Sequence, residues 1–179
     1  MEWTLNYILS QVFSILCFVC FGITFFSKDQ KKIRFLGILM NVFQGISYVF
    51  LGATSGWAML LIAIVRNIVF FKLDKQEYNK SYKLLLVGLL IVISITGILT
   101  YENIFSLLPV FAIVLYSIGV WQKKPKVYKL LAIPNCVLWV IYNLSVASLV
   151  ASIDEAVMLI LAIIGFIGEV KKDKLNTKW

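Results

Sequence analysis

A single arginine and the asparagine after it interrupt an otherwise apolar stretch, AIVRNIVFF, at Arg66 and Asn67. A guanidinium stays charged at any physiological pH and presents five N–H donors in a planar fork that matches carboxylate and phosphate oxygens. Inside an apolar helix it costs ~2.5–3.5 kcal/mol on insertion scales. Strongly apolar neighbours return only ~0.3–0.6 kcal/mol each. Arg66 therefore calls for a polar companion, supplied by the protein or by a bound solute. Side chains on a helix lean toward its N-terminus, and the topology derived below points this lean at the bilayer centre. Asn41, Gln44 and Tyr48 are spaced i, i+3 and i+7 on one helical face. Asn135, Trp139 and Tyr142 share another face, with Asn143 adjacent. The amides and hydroxyls can fix the orientation of a polar solute, and Trp139 can stack on it. The plainer role for each is hydrogen bonding between packed membrane helices. Taken together, Arg66, Asn67, Asn41, Gln44, Tyr48, Asn135, Trp139 and Tyr142 are the candidate lining of one mid-depth cavity. Arg66 would hold the anionic group.

A carboxylate completes the set. The string SIDE, Ser152 to Glu155, fits a capping box with Ser152 as N-cap and Glu155 reaching back to it. The sharper alternative makes Glu155 the counter-ion of Arg66, or a proton-coupling group. Distance weighs against the ion pair, because Glu155 falls near the outer face. Histidine is absent, which removes the commonest general base and metal ligand. Cys17, Cys20 and Cys136 lie within apolar runs, where small apolar packing is the expected role. With no nucleophile, base and oxyanion constellation, the expectation is a protein that is not an enzyme, with no cofactor and no metal.

The elements that must carry these residues are membrane helices. The chain of 179 residues is 61% hydrophobic and 15% charged, with a mean hydropathy of +0.91. That is too apolar for one soluble core. Seven apolar runs read as spans: Leu5–Phe26, Phe35–Gly52, Trp57–Phe71, Leu84–Thr100, Phe105–Trp121, Leu130–Ser148 and Ile153–Val170. The runs are continuously apolar, without the alternation of a barrel strand. The expected fold class is all-α, a single polytopic membrane domain over 1–179. No basic n-region precedes the first run and no A-x-A site follows it, so that run reads as a retained anchor.

Charge sets the orientation. Lys28, Lys31, Lys32 and Arg34 follow span one; Lys72, Lys75, Lys80 and Lys83 follow span three. Lys123, Lys124, Lys126 and Lys129 follow span five; Lys171, Lys172, Lys174 and Lys178 follow span seven. With seven spans, every basic residue except Arg66 falls on one side, and the positive-inside bias makes that side cytoplasmic. The N-terminus is then outside and the C-terminus inside. The net charge of +8 follows from topology and attraction to anionic lipid headgroups, so the lipid bilayer is the expected partner and nucleic acid is not.

The chain also repeats. KKIRFLGILMNVFQGISYVFLG, Lys31 to Gly52, aligns with KPKVYKLLAIPNCVLWVIYNLSV, Lys124 to Val146, placing Asn41 on Asn135 and Tyr48 on Tyr142. The expectation is two parallel three-helix repeats, 5–72 and 104–170, joined by an inverting linker helix at 84–100 (3+1+3), with an axis along the membrane normal. Pro109 and Pro134 lie within spans five and six, where prolines kink helices and can mark hinges.

These residues carry a family resemblance. SQVFSIL, a basic loop, FLGATSGW and AIVRNIVFF resemble the bacterial inner-membrane family known as YgjV, as do LLPVFAIVLYSIGVWQ and VLWVIYNLSVASLVASIDEAVML. The resemblance runs from Gln11 to about Gly168, with its most specific part from Gly52 to Phe70. It implies the bacterial plasma (inner) membrane and a seven-span layout similar to SWEET, PQ-loop and PnuC-type transporters; it implies no particular substrate. The expected function is a transporter or facilitator for a small polar or anionic metabolite. The alternative is a non-transporting receptor or assembly partner that uses the same cavity. Homo-oligomer formation is left open by the sequence.

Overall fold

The computed structural model describes residues 4–26, 30–73, 80–121 and 125–176. They are all-helical, with no strand among them: α1 (Leu5–Phe26), α2 (Gln30–Phe50), α3 (Thr54–Leu73), α4 (Lys80–Leu99), α5 (Leu107–Trp121), α6 (Pro125–Ser145) and α7 (Leu149–Asn176). A 3-10 turn at Ile104–Ser106 leads into α5. Asn103 starts that turn, its Oδ1 accepting from the Phe105 N–H at 2.9 Å while the Ser106 hydroxyl accepts from the Asn103 N–H. Each helix overlaps one of the expected spans. Lys28, Lys75, Lys123, Lys124 and Lys178 of the charge pattern lie outside the described residues.

Among the described residues, four stretches are long and apolar enough to cross a membrane: Leu5–Thr24, Ile104–Trp121, Lys126–Ser145 and Leu149–Lys172. The apolar parts of α2, α3 and α4, at Phe35–Phe50, Thr54–Val69 and Lys83–Leu99, are shorter. Wide apolar surface faces outward. Leu84, Ile98 and Leu99 on α4 are more than 70% exposed, and Leu5, Phe35 and Leu61 are also exposed. Patches of this extent require lipid or another apolar cover.

Packing is orderly. Helix α1 lies against α2 and α2 against α3; α5 lies against α6 and α6 against α7. The two runs meet where α1 touches α7 and α3 touches α5, and α4 leans on α3 and α5. The boundaries of the runs correspond: adding 95 to 26 gives the end of α5, adding 95 to 30 and 50 gives both ends of α6, and adding 95 to 54 gives the start of α7. The connecting turns correspond bond for bond. In the first, Leu51 N–H reaches Ser47 O, Gly52 reaches Val49, Ala53 reaches Tyr48, Thr54 reaches Gly52 and Trp57 reaches Ala53. In the second, Val146 reaches Tyr142, Ala147 reaches Leu144, Ser148 reaches Asn143, Leu149 reaches Ala147 and Ser152 reaches Ser148. Each turn needs one left-handed residue: Gly52 at φ 67° and Ala147 at φ 57°. This register differs by one residue from the alignment of Asn41 on Asn135. It places Tyr48 opposite Asn143 instead, and those two side chains hydrogen-bond directly at 2.6 Å.

The turn also corrects the capping expectation for SIDE. Helix α7 begins at Leu149, so Ser152 lies inside it and donates to the Ser148 carbonyl at 2.9 Å. The left-handed Ala147 already reverses the chain, and the helix starts before Ser152 can act as its cap. Pro109 falls in the first turn of α5, where no helical N–H is required, whereas Pro134 sits inside α6.

Candidate functional site

Helix α3 is the innermost of the short helices. Ala58, Met59, Leu60 and Ala63 on it are buried, and so is Arg66, which is only 4% exposed. Surrounding protein, not lipid, therefore meets its guanidinium. Nε and one terminal nitrogen donate to Asn67 Oδ1 at 3.2 and 3.0 Å. The other terminal nitrogen donates to Ser117 Oγ at 3.3 Å, and the Ser117 hydroxyl itself donates to the Ile113 carbonyl at 2.6 Å. The guanidinium carbon stands 4.5 Å from the centre of the Tyr116 ring, within cation–π range. Tyr128 meets Tyr116 edge-on with ring centres 5.7 Å apart. Among the described residues Arg66 has only neutral partners, and those bonds use three of the five donors of a guanidinium.

These groups face a cavity of about 700 Å³ lined from α1, α2, α3, α5, α6 and α7, with nothing from α4. That volume suits a small-molecule ligand. Of the residues singled out by sequence, Arg66, Asn67, Asn41 and Gln44 line it, and so do Tyr48, Asn135, Trp139 and Glu155. Tyr142 does not. It lines a second pocket of about 280 Å³ with Glu102, Asn103 and Ser55. Glu155 shares the main cavity with Arg66, but no ion pair joins them among the described residues; Lys129 and Lys172 pair instead with Glu169, at 2.7 and 3.8 Å. The sequence reading did not reach Tyr116, Tyr128 and Ser117; it gave Cys17 a packing role only and assigned Asp154 no site role. Asp154 was readable as an acid inside a span; the aromatic and serine partners carry no signal that separates them from packing.

The cavity runs along one half of the bundle. Its lining extends from Thr24, Phe35 and Val120, near the ends that carry the basic connections, to Tyr48 and Asn143. Along α2, Phe35 to Tyr48 is roughly 20 Å at 1.5 Å per residue. A septum closes it there. Tyr48, Tyr142 and Asn143 are each at most 2% exposed. The Tyr48 hydroxyl donates to Asn143 Oδ1, and Tyr48 stacks on Trp139 at 6.0 Å. The Tyr142 hydroxyl accepts the Gly56 N–H at 2.8 Å and the Ser55 hydroxyl at 3.1 Å. Gly56 is required by space: a Cβ there would stand 2.7 Å from the Tyr142 oxygen and 2.8 Å from the Tyr48 ring. The second pocket lies against the far face of Tyr142.

Among the described residues, three buried polar atoms on the main cavity lack partners: Gln44 Nε2, Asn135 Oδ1 and Asp154 Oδ1. Buried polar groups are nearly always paired, and one left bare costs ~1–3 kcal/mol. The other Asp154 oxygen accepts from the Cys17 thiol at 3.7 Å.

Apolar outer walls around a polar, partly unsatisfied interior define a polytopic helical membrane protein with a central solute-sized cavity. The family model for Imp-YgjV, bacterial inner membrane protein, matches residues 8–172. The chain belongs to that family and is a bacterial inner membrane protein. No curated protein and no solved structure matches it.

Proposed function

We propose that this protein is a transporter or facilitator that passes a small polar or anionic solute through the central cavity, with Arg66 as the anion-recognition group. The observation that carries this reading is a buried guanidinium with only neutral partners and spare donors among the described residues, facing about 700 Å³ of space. Asn67, Asn41, Gln44 and Asn135 would orient the solute, and the Trp139 ring would pack on it. No covalent step is part of the reading.

The mechanism is alternating access in a seven-span 3+1+3 layout. The units are 5–72 and 104–170, with α4 as the inverting linker. The matched helix boundaries, the matched turns and the reciprocal contacts of α1 with α7 and α3 with α5 support it. Rocking one unit against the other would part Tyr48 from Asn143 and Tyr142 from Gly56, joining the two pockets. The placement of the basic residues supports an N-terminus outside and a C-terminus in the cytoplasm. In that orientation the main cavity faces inward.

The test is uptake. Sealed proteoliposomes incubated with a bacterial metabolite extract, washed and examined by mass spectrometry should accumulate a polar metabolite beyond protein-free vesicles and beyond Arg66→Gln vesicles. Binding of extract components without accumulation would refute transport and leave a receptor that uses the same cavity.

A further inference from the structure

We infer that the solute is a zwitterion of the amino-acid type, with its anionic group on Arg66 and its ammonium group on the Asp154–Glu155 pair. This deepens the transport reading and rests on it. The cavity wall is charged at two levels. Arg66 supplies a cation whose partners are neutral and two of whose donors are unassigned among the described residues. Asp154 is 7% exposed, and its Oδ1 has no partner although it lines the cavity. Glu155 lies next to it in the chain and lines the same cavity. Asn135 Oδ1, also buried and unpartnered, adds a neutral acceptor on that wall. Acceptors without partners are what an ammonium requires, and unused guanidinium donors are what a carboxylate requires.

The spacing explains why the protein's own charges do not cancel. Arg66 lies twelve residues past Thr54, and Glu155 six residues past Leu149. The two helices start at corresponding turns, so the two positions differ in depth by about 9 Å at 1.5 Å per residue. The side-chain contacts give a similar figure. Ser117, which meets Arg66, lies four residues before the end of α5, and Cys17, which meets Asp154, lies nine residues before the corresponding end of α1. Five residues amount to about 7.5 Å. A gap of ~8 Å is too long for a direct ion pair. Allowing ~2.9 Å for a hydrogen bond at each end leaves a few ångströms along the axis between the charged atoms of the solute. A carboxylate and an ammonium separated by one to three carbons span that. A plain anion would leave the carboxyl oxygens bare, and a plain cation would leave the guanidinium bare.

The experiment compares charge-deleted analogues on the unmutated, detergent-purified full chain, read by thermal shift and by calorimetric titration. The probes are L-alanine with ethylamine and propionate, L-leucine with isopentylamine and 4-methylpentanoate, and γ-aminobutyrate with butylamine and butyrate. The expected result is that at least one zwitterion binds while its amine and its acid each bind at least tenfold more weakly. Arg66→Gln and Glu155→Gln should each remove that preference, with Glu155→Gln sparing the acid. Equal binding of acid and zwitterion would overturn the zwitterion inference and leave an anion transporter. Equal binding of amine and zwitterion, undiminished in Arg66→Gln, would overturn both. A panel with no binder at all would overturn the zwitterion inference, while the uptake of some other solute from extract would still stand.

Discussion

Replacing Gly56 by alanine tests the septum directly, because a Cβ there has no room unless a tyrosine moves. The new methyl would stand 2.7 Å from the Tyr142 oxygen and 2.8 Å from both a Tyr142 and a Tyr48 ring carbon. These rings are fixed on several sides: Tyr48 stacks on Trp139 and hydrogen-bonds Asn143, and Tyr142 meets both rings edge-on at 5.6 and 5.8 Å. Overpacking of this kind costs ~1–3 kcal/mol. Lengthening the Gly56 N–H bond to Tyr142 forfeits up to ~1 kcal/mol more. Against this, alanine is a better helix former than glycine by ~1 kcal/mol. The net is about 2 kcal/mol of destabilisation. Gly45→Ala provides the control. It lies on neighbouring α2, and its added Cβ would meet only Leu60 Cβ at 3.9 Å, an ordinary contact, so it should gain up to ~1 kcal/mol.

The two variants should therefore differ by about 3 kcal/mol in reversible denaturant unfolding of the purified protein. They should also differ in function. With the septum forced apart, a membrane-impermeant maleimide applied from the turn side should reach Cys17 or Cys136 on the cavity wall in Gly56→Ala vesicles and not in Gly45→Ala vesicles. Equal unfolding free energies and equal labelling for the two would show that Gly56 is not confined by the tyrosines, and the account of closure would fail.

The left-handed Ala147, at φ 57°, should make Ala147→Gly stabilising by ~1 kcal/mol in the same unfolding assay, and Gly52→Ala destabilising by a similar amount; a neutral Ala147→Gly would argue against the second turn as described. Tyr48→Phe leaves Asn143 Oδ1 bare in a buried site and should cost ~1–3 kcal/mol, with a double-mutant cycle to Asn143→Leu returning a coupling of at least ~0.5 kcal/mol; additive effects would remove the contact from the septum. Lys129→Ala breaks a 2.7 Å pair to Glu169 that remains partly exposed, so the change in unfolding free energy should stay below ~1 kcal/mol. Alkaline phosphatase fused within the turns at 52–54 or 146–148 should be active and a fluorescent protein at the C-terminus should mature in the cytoplasm; the reverse pattern would invert the proposed orientation.

Helix existence and most of the cavity were legible because lipid makes polar residues expensive. An asparagine, a glutamine or an arginine inside an apolar run has to find a partner, and the five such candidates, Arg66, Asn67, Asn41, Gln44 and Asn135, line one space together with Tyr48, Trp139 and Glu155. Tyr142 shows where face-reading stops. It shares a helical face with Asn135 and Trp139, yet its hydroxyl is drawn through to Gly56 and Ser55, on the other side of the septum. Spacing along a helix does not reveal where a wall ends. The one-residue slip in the repeat has a similar cause. Hydropathy tolerates a shift by one position in a helix that is apolar on most sides, whereas the turn hydrogen bonds do not. The SIDE string matches a capping box in composition, but the left-handed Ala147 had already placed the helix start elsewhere.

A backbone this regular carries its charges irregularly, and the difference is itself informative. At the register set by the turns, Arg66 corresponds to Leu161, and Asp154 and Glu155 correspond to Met59 and Leu60. Each unit therefore contributes one sign of charge at one level and apolar side chains at the matching place. On the alternating-access mechanism proposed above, the two similar halves would rock against each other with little repacking, because reciprocal contacts would reform in the opposite state. Two identical halves would offer a solute the same charge twice and no preferred direction. Here a dipolar solute lying along the axis would touch both units at once, its anionic end on α3 and its cationic end on α7. A movement that separates the units would then be opposed while the solute is bound at both ends. The solute would have to release one end before the septum opened, so the order of release becomes the measurable consequence of a symmetric scaffold with asymmetric charge.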